Sequence, residues 1–152
     1  MSKPVYVSYD RVNELFYYDK DVGLLVHRRL GRRIINVPVN TGYMSVSVDY
    51  RQVPAHRVIY LLHNPDMDQS LQIDHINGVK MDNRIENLRL VTEQENHFNR
   101  RDVVGFTWGR GGWRTYIVVS GKYINLGNYD NKLDARAAYL RAKKKYHIIE
   151  ER

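Results

Sequence analysis

The stretch "QIDHINGVKMDNRIENLRLVTEQENH", Gln72–His97, decides how this chain is read. "LQIDHI" reads as a strand, "NGVKMDNRIEN" as a polar loop with one helical turn, and "LRLVT" as a second strand. "EQENHFNRR" then begins a helix, because Thr92 followed three residues later by Glu95 has capping-box spacing. The order is strand, loop, strand, helix. Asn-Gly flanked by Asp and Asn is ordinary turn chemistry, and Asp82 and Asn83 are read that way. Turn chemistry does not account for Asp74, His75, Asn87 and Asn96 as a set.

Upstream, "GLLVHRR" and "GYMSVSVDY" read as strands, the second with Met44, Val46 and Val48 on one face. "VPAHRVIYLLHNP" reads as a helix with Ala55, Val58, Ile59 and Leu62 at helical spacing, started at Pro54 and stopped by Pro65. His56 and Arg57 on it are taken as ordinary scaffold groups. Downstream of a basic joint at residues 99–103, "VGFTW", "WRTYIVVS" and "KYINLGNY" read as three strands joined by "GRGG" and "SG". "NKLDARAAYLRAKKKYH" follows as a helix, with Leu133, Ala137, Leu140 and Lys144 marking its spacing. The fold class is therefore α+β in two parts, residues 1–101 and residues 102–152.

The 152 residues include no cysteine, which removes disulfides and thiolate metal sites and points to a reducing, cytoplasmic setting. "MSKPVYVSYDRV" lacks the apolar centre of a signal peptide, and no apolar run is long enough to span a bilayer. A membrane is thus not an expected partner, and protein partners are left unspecified. Net charge is +7 and uneven: residues 1–100 hold 13 basic and 12 acidic groups, residues 101–152 hold 11 and 5. A basic second part suits a polyanion, double-stranded DNA above all.

Hydrolysis of a phosphodiester needs a base for water, a cation for the charge that builds on phosphate and leaving oxygen, and groups that hold both. His75 has the chemistry of the base, Asp74 offers a hard anionic oxygen to a divalent cation, and Asn96 a neutral amide oxygen. Oxygen donors without cysteine favour Mg2+ or Mn2+ over zinc. Neighbours on a regular strand point to opposite faces, so joint action of Asp74 and His75 requires the strand to bend or end there.

"IDHINGVKMDNRIENLRLVTEQEN" resembles the signature of the HNH nucleases, especially the branch found in phage-borne and intron-borne homing endonucleases. The resemblance implies a ββα-metal core at residues 71–101 behind a strand-rich extension, with His75 as general base and Asp74 and Asn96 as metal ligands. It also implies that Asn87 fixes the backbone or orients His75. Where many members have His as the third signature letter this chain has Asn96 followed by His97, about 100° apart on a helix, so one of the two faces the cation. "VGFTWGRGGWRTYIVVSGKYINLGNYDNKLDARAAYLRAKKKYH" is similar to the ethylene-response-factor (Apetala-type) DNA-binding domain, which lays a three-stranded antiparallel sheet on DNA with a helix behind. Strand alternation then sets Arg114, Tyr116, Tyr123 and Asn125 on the DNA side, with Arg110 and Lys122 as further contacts, and Ile117, Ile124 and Leu126 toward the helix. "HRRLGRR" at 27–33 is a second candidate for contact with phosphates. These readings converge on a metal-dependent DNA endonuclease with a homing role. The rival readings are a non-catalytic DNA-binding regulator on a degenerate nuclease scaffold and a nuclease that acts on RNA.

Overall fold

The computed structural model describes residues 6–35, 42–98 and 104–149. Two compact units divide the chain, one running to Thr92 and the other from Glu93 to Glu150. The joint expected at residues 99–103 lies outside the described residues.

The first unit opens with α1, Tyr9–Leu15, capped by Ser8, whose hydroxyl accepts from the Arg11 amide at 3.5 Å. β1 (Phe16–Asp19), β2 (Leu24–His27) and β3 (Arg32–Arg33) form an antiparallel sheet in that order. β4 (Ser45–Val48) and β5 (Arg51–Pro54) make a hairpin whose two turn residues, Asp49 and Tyr50, both have positive φ (46° and 65°). Such a turn matches the right-handed twist of the strands but strains side chains with a Cβ. Arg11 steadies it by donating from Nε to Asp49 at 2.8 Å.

α2, Ala55–His63, leaves β5 directly and is buried almost all round: Ala55, Val58, Ile59 and Leu61 are 2% exposed or less. Met44, Val46 and Val48 share the buried face expected of them and join this helix, Phe16, Leu25, Val53 and Leu88 in one core. Arg57 is buried with them and donates to the carbonyls of Leu71 (2.9 Å) and Gln69. Those two carbonyls lead straight into β6, Gln72–His75, which pairs antiparallel with β7, Leu88–Val91. Between them runs the polar loop, closed by one 3-10 turn at Ile85–Asn87.

In the second unit, α3 spans Glu93–Phe98, beginning right after Thr92. β8 (Phe106–Gly109), β9 (Gly112–Val119) and β10 (Lys122–Tyr129) form an antiparallel sheet with β9 in the middle. The two-residue turns Arg110–Gly111 and Ser120–Gly121 have positive φ throughout, as tight hairpins between twisted strands require. α4, Lys132–Tyr146, is capped by Asn131, whose side-chain oxygen accepts from the Asp134 amide at 2.8 Å.

The inner face of α4 differs from the spacing read in the sequence. Ala135, Ala138, Tyr139 and Ala142 are buried, whereas Leu133 is 81% and Leu140 47% exposed. Alanines let the helix axis approach β9 closely, and one aromatic ring fills the space that several leucines would overfill. Tyr139 packs with Ile117, Val119, Ile124 and Leu126. Among the described residues no helix is long and apolar enough to cross a membrane.

Tyr139 also fixes Gly105, which has φ of +74° and whose added Cβ would lie 1.9 Å from a ring carbon. Gly105→Ala is expected to destabilise the second unit by about 2–4 kcal/mol, from backbone strain plus overpacking. Gly111→Ala meets nothing within 4 Å and should lose about 1–2 kcal/mol from its left-handed backbone alone. Both tryptophans of the chain, Trp108 and Trp113, lie in this unit, so urea unfolding followed by their fluorescence measures the difference.

Candidate active site

β6 ends at His75, where the chain turns: the Gly78 amide donates to the His75 carbonyl at 2.8 Å, and the Ile76 amide to the Asn87 carbonyl at 2.9 Å. The Asp-His pair therefore sits at a strand end. Both side chains are buried, Asp74 at 7% and His75 at 4% exposure. Asp74 lies directly across the ladder from Arg89, whose Nε and Nη2 both donate to Asp74 Oδ2 at 3.0 and 2.7 Å. A buried carboxylate needs such a partner, since an uncompensated one costs several kcal/mol.

His75 is held on three sides. Its Nε2 lies 2.9 Å from Asn83 Oδ1, Tyr43 stacks on it with centroids 5.9 Å apart, and His56 meets it edge-on at 5.0 Å. Burial first, then the neighbouring His75 and Arg57, push the pKa of His56 down to about 3, so His56 is a neutral ring near pH 7. Burial, then the Asp74 carboxylate, raise the Tyr43 phenol above its ordinary value. Lys80 sets its ammonium 4.5 Å from the Tyr43 centroid and brings a cation to the same corner.

The polar loop is braced by its own amides. Asn87 Oδ1 accepts from the Asn77 amide at 3.0 Å, and its Nδ2 donates to Asn77 Oδ1 at 3.0 Å and to the Asp82 carbonyl at 2.7 Å. Asn77 in turn donates to Asp82 Oδ2 at 2.8 Å. The bonds of Asn87 thus go to the loop backbone and Asn77, whereas the hydrogen bond with the imidazole is made by Asn83, 2% exposed.

The first unit brings together Asp74, His75 and Asn87; Asn96 and His97 lie on α3 in the second unit, half-buried and exposed. No three His, Asp or Glu side chains come together as a metal cage among the described residues. One buried carboxylate fits a hard cation that keeps most of its water shell, as Mg2+ does, better than zinc, which gathers nitrogen and sulfur.

In the second unit Arg110, Arg114, Tyr116, Lys122, Tyr123 and Asn125 are all exposed. Cross-strand pairing lines up Thr107, Arg114 and Asn128 in one row and Tyr116 with Asn125 in the next, flooring a shallow groove with Tyr123. Among the described residues no carboxylate lines that groove, and the side chains of Arg110, Arg114 and Lys122 make no ion pair or hydrogen bond. Ile117 faces the helix, and Trp113 packs edge-on against Phe106 and Trp108.

Comparison with known proteins bears on the segment that holds the Asp-His pair. Residues 53–98 match the HNH endonuclease family. Two uncharacterized HNH endonucleases of Acanthamoeba polyphaga mimivirus are also similar, one 38% identical over 71 residues (42% of this chain, 18% of the relative). The other is 39% identical over 61 residues, covering 40% of this chain and 32% of the relative. The chain therefore matches a third or less of the length of either protein. No solved structure matches the chain significantly.

In the sequence Asn83 reads as turn chemistry and His56 as scaffold, and neither Tyr43 nor Arg89 is singled out. Arg89 carries a signal: two residues into a strand that pairs with β6, it stands opposite an acid, the opposite-charge arrangement favoured in ladders. His56 and Tyr43 are brought to His75 by tertiary packing and leave no local pattern.

His56 makes the first unit acid-sensitive. Its folded value of about 3 lies below the ordinary 6.5, so between these pH values the unfolded chain binds the extra proton. The stabilisation is complete above about 6.5 and is lost as pH falls toward 3. From pH 7 to 4.5 this group alone should remove on the order of 2 kcal/mol. His56→Phe should lose correspondingly less over that interval, measured as urea midpoints by far-ultraviolet circular dichroism.

Proposed function

We propose that this chain is a divalent-metal-dependent DNA endonuclease in which His75 is the general base. The observation that carries the reading is the Asp74–His75 pair buried at the end of β6, inside the segment that matches the HNH endonuclease family. A neutral imidazole at this point takes the proton of a water that attacks phosphorus. Packing by Tyr43 and His56 keeps the ring from turning away, which is how a base is kept within reach of one proton. Asp74, fixed by Arg89, would hold the cation, with Asn96 carried over as second ligand from the sequence signature alone; the cation would supply neutralisation of the charge on phosphate and leaving oxygen. The order of β6, loop, β7 and α3 supports a ββα-metal reading of residues 71–101.

The second unit is read as the DNA-binding part, of the ethylene-response-factor type. Its outer sheet face presents Arg114, Tyr116, Tyr123 and Asn125 with no acidic residue lining their groove among the described residues, flanked by Arg110 and Lys122. Arginine suits a guanine edge, lysine a phosphate, and an asparagine amide an adenine edge. Homing is the biological role this pairing of parts suggests.

Cleavage of supercoiled DNA tests the first part. His75→Ala should lower the nicking rate by about 10²–10⁴ while affinity in a gel shift stays within about twofold. Asp74→Ala and excess chelator should each abolish nicking by the intact protein. Nicking at full rate by His75→Ala would remove the base assignment, and an inactive wild type that still binds DNA would favour the regulator reading.

The second part has its own readout. Arg114→Ala should weaken binding to the preferred site by about 1–3 kcal/mol if it reads a base. Lys122→Ala should lower the slope of log affinity against log salt by about 1 unit, whatever the sequence. Unchanged affinity and slope in both would return this face to a solubilising role.

A further inference from the structure

We propose that Asn83 is the positioning residue that sets the working tautomer of His75, placing the ring proton on Nε2 and the lone pair on Nδ1. The proposal rests on His75 being the base, and adds which nitrogen acts and what selects it. Asn83 Oδ1 stands 2.9 Å from His75 Nε2, and both side chains are buried. A carbonyl oxygen only accepts, so Nε2 must donate, and a neutral imidazole has one N–H to give. The lone pair that removes a proton from water then belongs to Nδ1. The same oxygen serves the imidazolium formed afterwards, because Nε2 still donates to it.

Nothing else about Asn83 explains its burial. Its Nδ2 is enclosed without a hydrogen-bond partner among the described residues, so the amide is held for its other end. An orphaned buried amide costs about 1–3 kcal/mol, which argues against asparagine as a mere filler. The loop is built to hold it. Asn87 Nδ2 grips the Asp82 carbonyl at 2.7 Å, which belongs to the peptide unit joining Asp82 to Asn83. Asn87 thereby acts on His75 at one remove, through the backbone that carries Asn83. His56 and Tyr43 restrict the plane of the imidazole, and Asn83 decides which nitrogen carries hydrogen within that plane.

The test is nitrogen-15 NMR of the full-length protein labelled at histidine, without metal, at a pH where His75 is neutral, with His75→Gln to identify its signals. The wild type is expected to show the Nε2–H form at nine-tenths or more. Asn83→Asp keeps an acceptor in place and should keep that tautomer, whereas Asn83→Leu, similar in size but unable to accept, should release a mixture. In nicking assays Asn83→Leu should lose about 10-fold or more in kcat at unchanged KM, and Asn83→Asp should recover most of it. A wild type with the proton on Nδ1 would overturn the proposal, as would an Asn83→Leu protein whose tautomer ratio is unchanged. Should Asn83→Leu fail to fold, the wild-type and Asn83→Asp spectra decide by themselves. An Asn83-controlled tautomer in a protein that His75→Ala leaves fully active would remove the base assignment, and with it the role of Nδ1, while Asn83 would still be the group that sets the tautomer.

Discussion

A carboxylate drawn out of water must meet a cation, and in the first unit that demand falls on Asp74. Arg89 meets it from the facing position of the ladder, so ion pair and strand register are one constraint. A slip of one residue would send Asp74 to the other face and strand its charge. The register that pairs Asp74 with Arg89 also puts His75 opposite Leu88 at the ladder's end, from which the Ile76 amide reaches the Asn87 carbonyl. Four-residue strands in a two-stranded ladder are marginal alone. α2 supports them, packing its apolar residues into the shared core while Arg57 holds the two carbonyls that precede β6.

The second unit meets a different constraint. Its core is small, built around Ile117, Tyr139 and Ala142, so its stability depends on close approach more than on bulk. On the opposite face Gly112 leaves room for the Asn128 side chain, whose amide would lie 2.6 Å from an added Cβ. With Ile117, Val119, Ile124 and Leu126 turned to the helix, the other sheet face keeps Arg114, Tyr116 and Asn125 exposed.

Much of this architecture is legible in the sequence because local rules determined it. Pro54 and Pro65 bracket α2, and Arg110–Gly111 and Ser120–Gly121 mark the two hairpin turns around β9. α1 is not legible: seven residues with a single buried side chain, Val12, give no helical period. The face of α4 misleads because leucine normally signals a core, whereas here alanines are buried for their size. At the site, adjacency in sequence reveals Asp74 and His75. Asn83 does not stand out, since turn asparagines and an asparagine aimed at an imidazole look alike until burial and distance separate them.

The bracing of the loop also bears on how the protein ages. Asn77–Gly78 is the dipeptide most prone to spontaneous deamidation, a reaction in which the glycine amide nitrogen attacks the asparagine side-chain carbon to close a succinimide ring. Here the Gly78 amide donates to the His75 carbonyl at 2.8 Å. The Asn77 side chain is held at both ends, its oxygen by the Val79 amide and Asn87 Nδ2, its nitrogen by Asp82. Ring closure requires the nucleophile and the side chain to leave these partners together. The bonds that shape the loop beside His75 therefore also protect it from its own covalent chemistry, and the chemical lifetime of the site follows the frequency with which that loop opens.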